Sequence, residues 1–194
     1  MGAWADHYAH VQDCNSHLDP AYYLHVLHDV VEQLAGPGGT VVEVGIGTAC
    51  STVELTRRGL YVIGVDNDTE VLKRATQRNK QALFVYGNAL DMTKLFTERV
   101  QVAYSQGLLE HYSDREIRRI LWNKLKIADY AVFSVPSQYW PIQDFGNERL
   151  MSLEAWAEIL APLKATVMRL EYCDTLVNGR YKENVLGVLT YGRG

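Results

Sequence analysis

Short apolar runs alternate with amphipathic stretches through most of the chain. Thr40–Val44, Leu60–Val65, Ala82–Tyr86, Val100–Tyr104 and Tyr130–Val135 are rich in β-branched and aromatic residues. Near-continuous apolar runs of this length fit strands buried on both faces. Between them the spacing becomes helical. Tyr23, Val26, Leu27, Val30, Val31 and Leu34 share one face of a helix over 20–35, which Gly36-Pro37-Gly38-Gly39 ends. Further helices are predicted over Thr48–Arg58, stopped by Gly59, and over 68–80, a polar stretch anchored by Val71 and Leu72. Another spans Asp114–Lys126, with Ile117, Ile120, Leu121 and Leu125 inward and Ser113 or Asp114 as cap, and a last one starts at Ser152.

Strand and helix in repeated alternation imply right-handed crossovers and a mostly parallel sheet. The tail breaks that rhythm. Ala165–Cys173 and Glu183–Tyr191 read as strands around Asn178-Gly179, a strong turn dipeptide, so they form an antiparallel hairpin. The predicted fold is α/β: a doubly wound, Rossmann-like, seven-stranded and mostly parallel sheet with the last strand antiparallel. One domain accounts for 1–194, with 1–38 as an N-terminal cap and first helix.

Composition narrows the partners. The 194 residues are 47% hydrophobic and 22% charged, with a formal net charge of −4, which suits one globular domain. There is no basic run, so nucleic acid is a disfavoured partner. No apolar stretch approaches the roughly 20 residues of a membrane span, and a cytoplasmic location is expected. Cys14, Cys50 and Cys173 form no CxxC pair and read as reduced, small buried or half-buried residues. His7, His10, His17, His25 and His28 crowd the N-terminal region, two pairs at helical i, i+3 spacing. No acidic or cysteine ligand accompanies them in a motif, so they read as solvated and no metal is expected.

The candidate chemistry begins at Val42-Glu-Val-Gly-Ile-Gly-Thr-Ala-Cys-Ser51, directly after the first strand. Glycines here allow a tight turn and close approach of a ligand to the backbone. The third glycine of a GxGxxG pattern is replaced by Cys50, and spacing alone leaves nicotinamide and adenosyl cofactors both open. Asp66 ends the second strand 21 residues past Gly45. A carboxylate at that distance can accept both hydrogens of a ribose diol. Asp66 or Asp68 can also cap the helix that follows.

Four motifs in order carry a resemblance: Val-Val-Glu43-Val-Gly45-Ile-Gly47-Thr, Gly64-Val-Asp66, Gly87-Asn88-Ala89-Leu90, and Ser105-Gln106-Gly107-Leu-Leu-Glu110-His111. Together they resemble the class I methyltransferases that use S-adenosylmethionine, over about residues 40–135. The terminal hairpin is similar to that family's reversed seventh strand. The resemblance implies that Glu43 holds the loop near the methionine part of the cofactor and that Gly45 and Gly47 let the loop pass close to it. It implies Asp66 on the ribose diol, Asn67 beside the adenine, and Asn88 where the family often has Asp. Ala89 would offer a backbone N–H to the ring. Ser105 and Gln106 would face the amino group or sulfonium through their carbonyls.

His111 closes the last motif near the expected acceptor. It can serve as a base, since its pKa lies near neutrality, or simply order the loop. Residues 137–150 lie at the carboxyl edge of the sheet, where α/β ligands bind. Tyr139, Trp140 and Phe145 offer aromatic surface there, and Arg149 a cation; the segment reads as a substrate lid or as a loop that packs its rings on the core. Tyr8 in the N-terminal segment would close over the same site. The resulting expectation is methyl transfer to an oxygen or nitrogen of a small-molecule acceptor. The Asn/Asp-Pro-Pro-Tyr/Phe tetrapeptide of nucleic-acid amino-methyltransferases is absent; Ser105-Gln106-Gly107-Leu108 stands there. Two alternatives remain: an adenosyl-cofactor-binding module without activity, and an NAD(P)-dependent oxidoreductase.

Overall fold

The computed structural model describes residues 6, 22–140, 147–177 and 180–191. Helix α1 (Tyr22–Ala35) precedes β1 (Thr40–Val44), α2 (Cys50–Arg57), β2 (Tyr61–Asp66), α3 (Thr69–Arg78) and β3 (Leu83–Tyr86). Then come β4 (Val100–Gln106), α4 (Asp114–Ile127), β5 (Ala128–Pro136), α5 (Leu153–Leu160), β6 (Thr166–Val177) and β7 (Arg180–Thr190). The sheet runs β3-β2-β1-β4-β5-β7-β6. Strands β1 to β5 are mutually parallel, and β7 is antiparallel to both β5 and β6. The fold expected from the sequence is therefore present, including the reversed last strand. The Asn178-Gly179 turn itself lies outside the described residues, as do His7, Tyr8, His10, Cys14, His17 and Phe145.

The helices start where side chains can satisfy their free N–H groups. Asp68, not Asp66, caps α3, accepting from Glu70 and Val71 N–H. Ser113 caps α4 in a reciprocal box with Glu116, and Ser152 caps α5 through Ala155 N–H at 3.2 Å.

Side chains alternate between two cores along each strand. Val42 and Val44 pack with Ile117, Ile120, Leu121, Leu125 and Trp156 beneath α4 and α5. Val41 faces the other way, with Leu27, Val31, Leu55 and Tyr104 beneath α1 and α2. Gly187 of β7 makes room in the first core: a Cβ there would fall 2.1 Å from the Phe133 ring, which stacks on Trp156 at 4.8 Å.

Two sequence expectations are corrected in these cores. His28 is fully buried on α1 rather than solvated, because its face of the helix meets α2. Cys50 is disulfide-bonded rather than reduced; Cys173 is a buried free thiol. Among the described residues, no helix is long and apolar enough to cross a membrane.

Candidate functional site

Parallel strands end together, so β1, β2, β3, β4 and β5 bring Gly45, Asp66, Gly87, Gln106 and Pro136 to one edge of the sheet. The strand order reverses between β1 and β4. Ligands of open α/β sheets bind in the crevice at such a point. Gly45 and Gly47 take positive φ, 75° and 46°. At Gly45 a side chain would be strained, and its Cβ would stand 2.8 Å from Leu108 Cδ1. The bare backbone here is a cradle that any Cβ would begin to fill.

Asp66 closes this cradle from the second strand. Its Oδ2 accepts from Ile46 N–H at 3.0 Å and its Oδ1 from Asp68 N–H at 2.9 Å. The side chain thus pins the glycine loop to β2. Burial raises its pKa, while the Asp68, Ile46 and Gly47 N–H groups work against that rise. A carboxylate has about four acceptor positions, so capacity remains for a ribose hydroxyl. Asn67 is exposed beside it. On the next strand end, Asn88 is exposed, and its Oδ1 accepts from Leu90 N–H at 2.9 Å. The Ala89 carbonyl accepts from Asn123 Nδ2 at 3.1 Å. These groups fit an adenosyl ligand: a glycine cradle, a carboxylate beside it, and amides along the adjoining edge.

Glu43 and Ser105 turn away from that edge. Glu43 is buried on the α1–α2 side, directly paired in register with Tyr104 of β4. Tyr104 Oη donates to Glu43 Oε2 at 2.9 Å, and Ser51 Oγ donates to Tyr104 Oη at 3.2 Å. Ser51 has then spent its one hydrogen, so its 2.8 Å contact with His28 Nε2 makes the imidazole nitrogen the donor. The relay from α1 through α2 and β4 ends on the carboxylate. Burial pushes Glu43 up to about 8, against the Tyr104 hydrogen bond. On the opposite face, Lys124 of α4 is fully buried, giving hydrogen bonds to Ser105 Oγ at 2.6 Å and the Val132 carbonyl at 3.1 Å. Burial lowers its pKa well below the ordinary lysine value. Glu43 therefore ties the loop's strand to its neighbours by side-chain bonds. The sequence offered one hint of this relay, a hydroxyl-bearing tyrosine inside an apolar strand; Lys124 gave none, because a lysine on a helix reads as solvated.

The expected acceptor side lies where Gly107 leaves β4. Leu109–His111 makes a short 3₁₀ turn, and Glu110 within it is buried. The two ends of the predicted lid meet: Ser137 bridges to Met151, and Gln138 N–H donates to the Met151 carbonyl at 3.2 Å. Residues 147–149 then lie along the turn. Arg149 N–H donates to the Glu110 carbonyl at 3.0 Å, and its guanidinium holds the Tyr112 carbonyl at 2.7 Å and Asp114 Oδ1 at 2.6 Å. Asn147 Nδ2 lies 3.5 Å from the His111 carbonyl. Tyr139 is exposed and meets Tyr172 of β6 edge-on at 5.4 Å, and Trp140 is half-buried. Burial lowers the His111 pKa, opposed by Glu148 and by an Asn147 side-chain hydrogen bond. The imidazole is thus held toward its neutral, proton-accepting form.

Fold and site together define an α/β protein with a glycine-lined crevice at the β1–β4 switch point. Residues 41–127 match the family model described as a methyltransferase domain. Over that stretch the chain is similar to methyltransferase domains of the kind that take S-adenosylmethionine as methyl donor. Solved structures share the fold at low identity. A putative methyltransferase complexed with the Trm112 activator, from Haloferax volcanii, has a TM-score of 0.73 at 14% identity, covering 98% of each chain. A Methanosarcina mazei S-adenosylmethionine-dependent methyltransferase gives 0.67 at 13%, covering 84% of this chain and 96% of that one. Magnesium protoporphyrin IX methyltransferase from Synechocystis PCC 6803, with bound S-adenosylhomocysteine, gives 0.64 at 16%, covering 86% and 83%. A search of curated proteins finds no match.

Proposed function

We propose that this enzyme methylates an oxygen or nitrogen of a small-molecule acceptor held between the Gly107–His111 turn and the segments 137–140 and 147–150. The observation that carries this reading is the strap. Arg149 and Asn147 fasten residues 147–149 to the turn that follows the cofactor strand. A second wall thereby stands beside the cradle at Gly45 and Gly107.

The bound cofactor supplies an electrophilic methyl group on a sulfonium that is already a good leaving group. The chain's own residues need chiefly to position and to exclude water, which is worth several kcal/mol in an in-line displacement. Gly45 and Gly47 admit the cofactor, and Glu43 holds the strand that carries them. Asp66 and Asn67 take its ribose and the adjoining base edge, with Asn88 and Ala89 lining the ring. Carbonyls of Ser105 and Gln106 face the methionine end. Tyr139 and Trp140 contribute apolar surface to the acceptor pocket; the expected contributions of Tyr8 and Phe145 fall outside the described residues. Arg149 contributes there through the strap it anchors. His111 accepts the proton released by a hydroxyl or ammonium acceptor, a role its lowered pKa suits at neutral pH.

Calorimetric titration followed by an acceptor screen tests this. S-adenosylmethionine and its demethylated product should bind while nicotinamide dinucleotides do not, and product release should depend on a small hydroxyl or amine compound. Cofactor binding with no small acceptor, but turnover on a macromolecule, overturns the acceptor class.

A further inference from the structure

Glu110, His111 and Glu148 place one ligand-type atom each within 4.8 Å of one another. Two come from the turn after β4 and one from the strap that returns over it. His111 Nε2 lies 4.0 Å from Glu110 Oε1. That is too long for a hydrogen bond. It matches two metal–ligand bonds of about 2.0–2.2 Å meeting at a wide angle.

Glu110 supplies an independent sign. Its side chain is 1% exposed, and its Oε2 is buried with no hydrogen-bond partner. A buried acceptor left unpaired costs about 1–3 kcal/mol, more if charged. A second carboxylate, Glu148, faces the same space and adds repulsion. A proton on Glu110 Oε1 would remove the charge, but His111 Nε2, 4.0 Å from that oxygen, is too far away to accept it. A divalent cation answers both demands, since it balances two carboxylates and gives the orphaned oxygen a partner. The His111 ring is further held by the Asn147 side chain, the kind of outer contact that orients metal-binding imidazoles.

We propose that Glu110, His111 and Glu148 bind one divalent cation of the manganese, iron(II) or zinc class. An imidazole beside two carboxylates favours these ions over magnesium and calcium, which prefer all-oxygen sets. Three protein ligands leave positions open, as in catalytic metal sites. The cation would stand beside Gly107, where it can hold an oxygen of the acceptor next to the methyl donor. That last role rests on the methyl-transfer reading above, and in the cation-bound enzyme it replaces proton acceptance by His111, whose acceptor nitrogen would then be a ligand; the binding of the cation does not rest on that reading.

Titrating the full chain with manganese(II), and following the free-ion signal by electron paramagnetic resonance, separates the two. One ion per chain should bind, with zinc competing strongly and magnesium weakly. E148Q and E110Q should each weaken manganese binding at least about 10-fold. Calorimetry with S-adenosylhomocysteine on the same E148Q sample should give unchanged affinity, which also certifies the fold should the buried E110Q variant fail to fold. No binding by the unaltered chain at about 1 mM ion (the weak limit for a specific site), or equal binding by E148Q, overturns the metal site. Failure of the unaltered chain to bind S-adenosylhomocysteine while manganese still binds overturns the cofactor reading alone.

Discussion

At Gly45–Asp66 the site is made by backbone, whereas at Glu110–Arg149 it is made by side chains from segments nearly forty residues apart. In the cofactor half, two positive-φ glycines set the loop, and Asp66 holds it through N–H groups of Ile46 and Asp68. Every participant lies at a strand end whose position follows from the sheet. In the acceptor half, Glu110 and His111 meet Glu148 and Arg149 only because the strap folds back. A backbone-built site tolerates change in its side chains but not in its glycines or its pinning carboxylate. A site assembled by side chains depends on each of them and is free to change its acceptor.

The comparison breaks first at His111. His111→Ala should lower kcat by about 10²–10⁴-fold if the imidazole accepts the proton, with cofactor affinity unchanged by calorimetry. A drop below about tenfold would make His111 an ordering residue. Because burial lowers its pKa, the acid limb of the kcat profile should fall below the pH at which free histidine titrates.

Asp66 tests the other half. Asp66→Ala removes the pin of the glycine loop together with the proposed ribose contact. Charge-assisted hydrogen bonds of this kind are worth about 1.5–3 kcal/mol, so cofactor Kd should rise by roughly 10–150-fold. The acceptor KM should move little at saturating cofactor. An unchanged Kd in a folded variant moves the ribose elsewhere.

Arg149 sharpens the comparison with a smaller effect. Arg149→Met keeps the main-chain bond to the Glu110 carbonyl but loses the guanidinium contacts to Tyr112 and Asp114. The ion pair is part-exposed, so the loss should be about 1 kcal/mol or less. Acceptor KM should rise up to about fivefold, with cofactor Kd constant. A shift in cofactor Kd instead would mean that the two halves are coupled.

The same division explains what could be read along the chain. The strands showed as apolar runs, and the glycine loop, Asp66 and the terminal hairpin showed because each is a local pattern tied to backbone geometry. The neighbours of Glu110 did not show, since nothing near Glu110 in sequence announces Glu148. The buried polar groups misled for a related reason. His28 and Lys124 sit on amphipathic helices, where a polar residue is expected outside; both are fully buried because Ser51 and Ser105 offer partners from other elements. Tyr104 and Glu43 are opposite one another only in the β1–β4 register, which the sequence does not state.

Glu43 joins the two kinds of construction, since its strand carries the backbone cradle while its side chain ends the buried relay. Burial lifts its folded pKa to about 8 from the ordinary 4.5 of a glutamate. Below that lower value, folded and unfolded chains are both protonated here. Between the two values the folded chain binds the extra proton, so this group's contribution to stability falls as pH rises through the window. Glu43→Gln keeps an acceptor for Tyr104 and cannot titrate. The variant's Tm relative to the unaltered chain should therefore climb steadily from about pH 5 to about pH 8. Differential scanning calorimetry at matched ionic strength reads the trend. A Tm difference that stays flat with pH, or shrinks as pH rises, would mean that Glu43 is ionised in the fold and that the Tyr104 bond and Lys124 outweigh its burial.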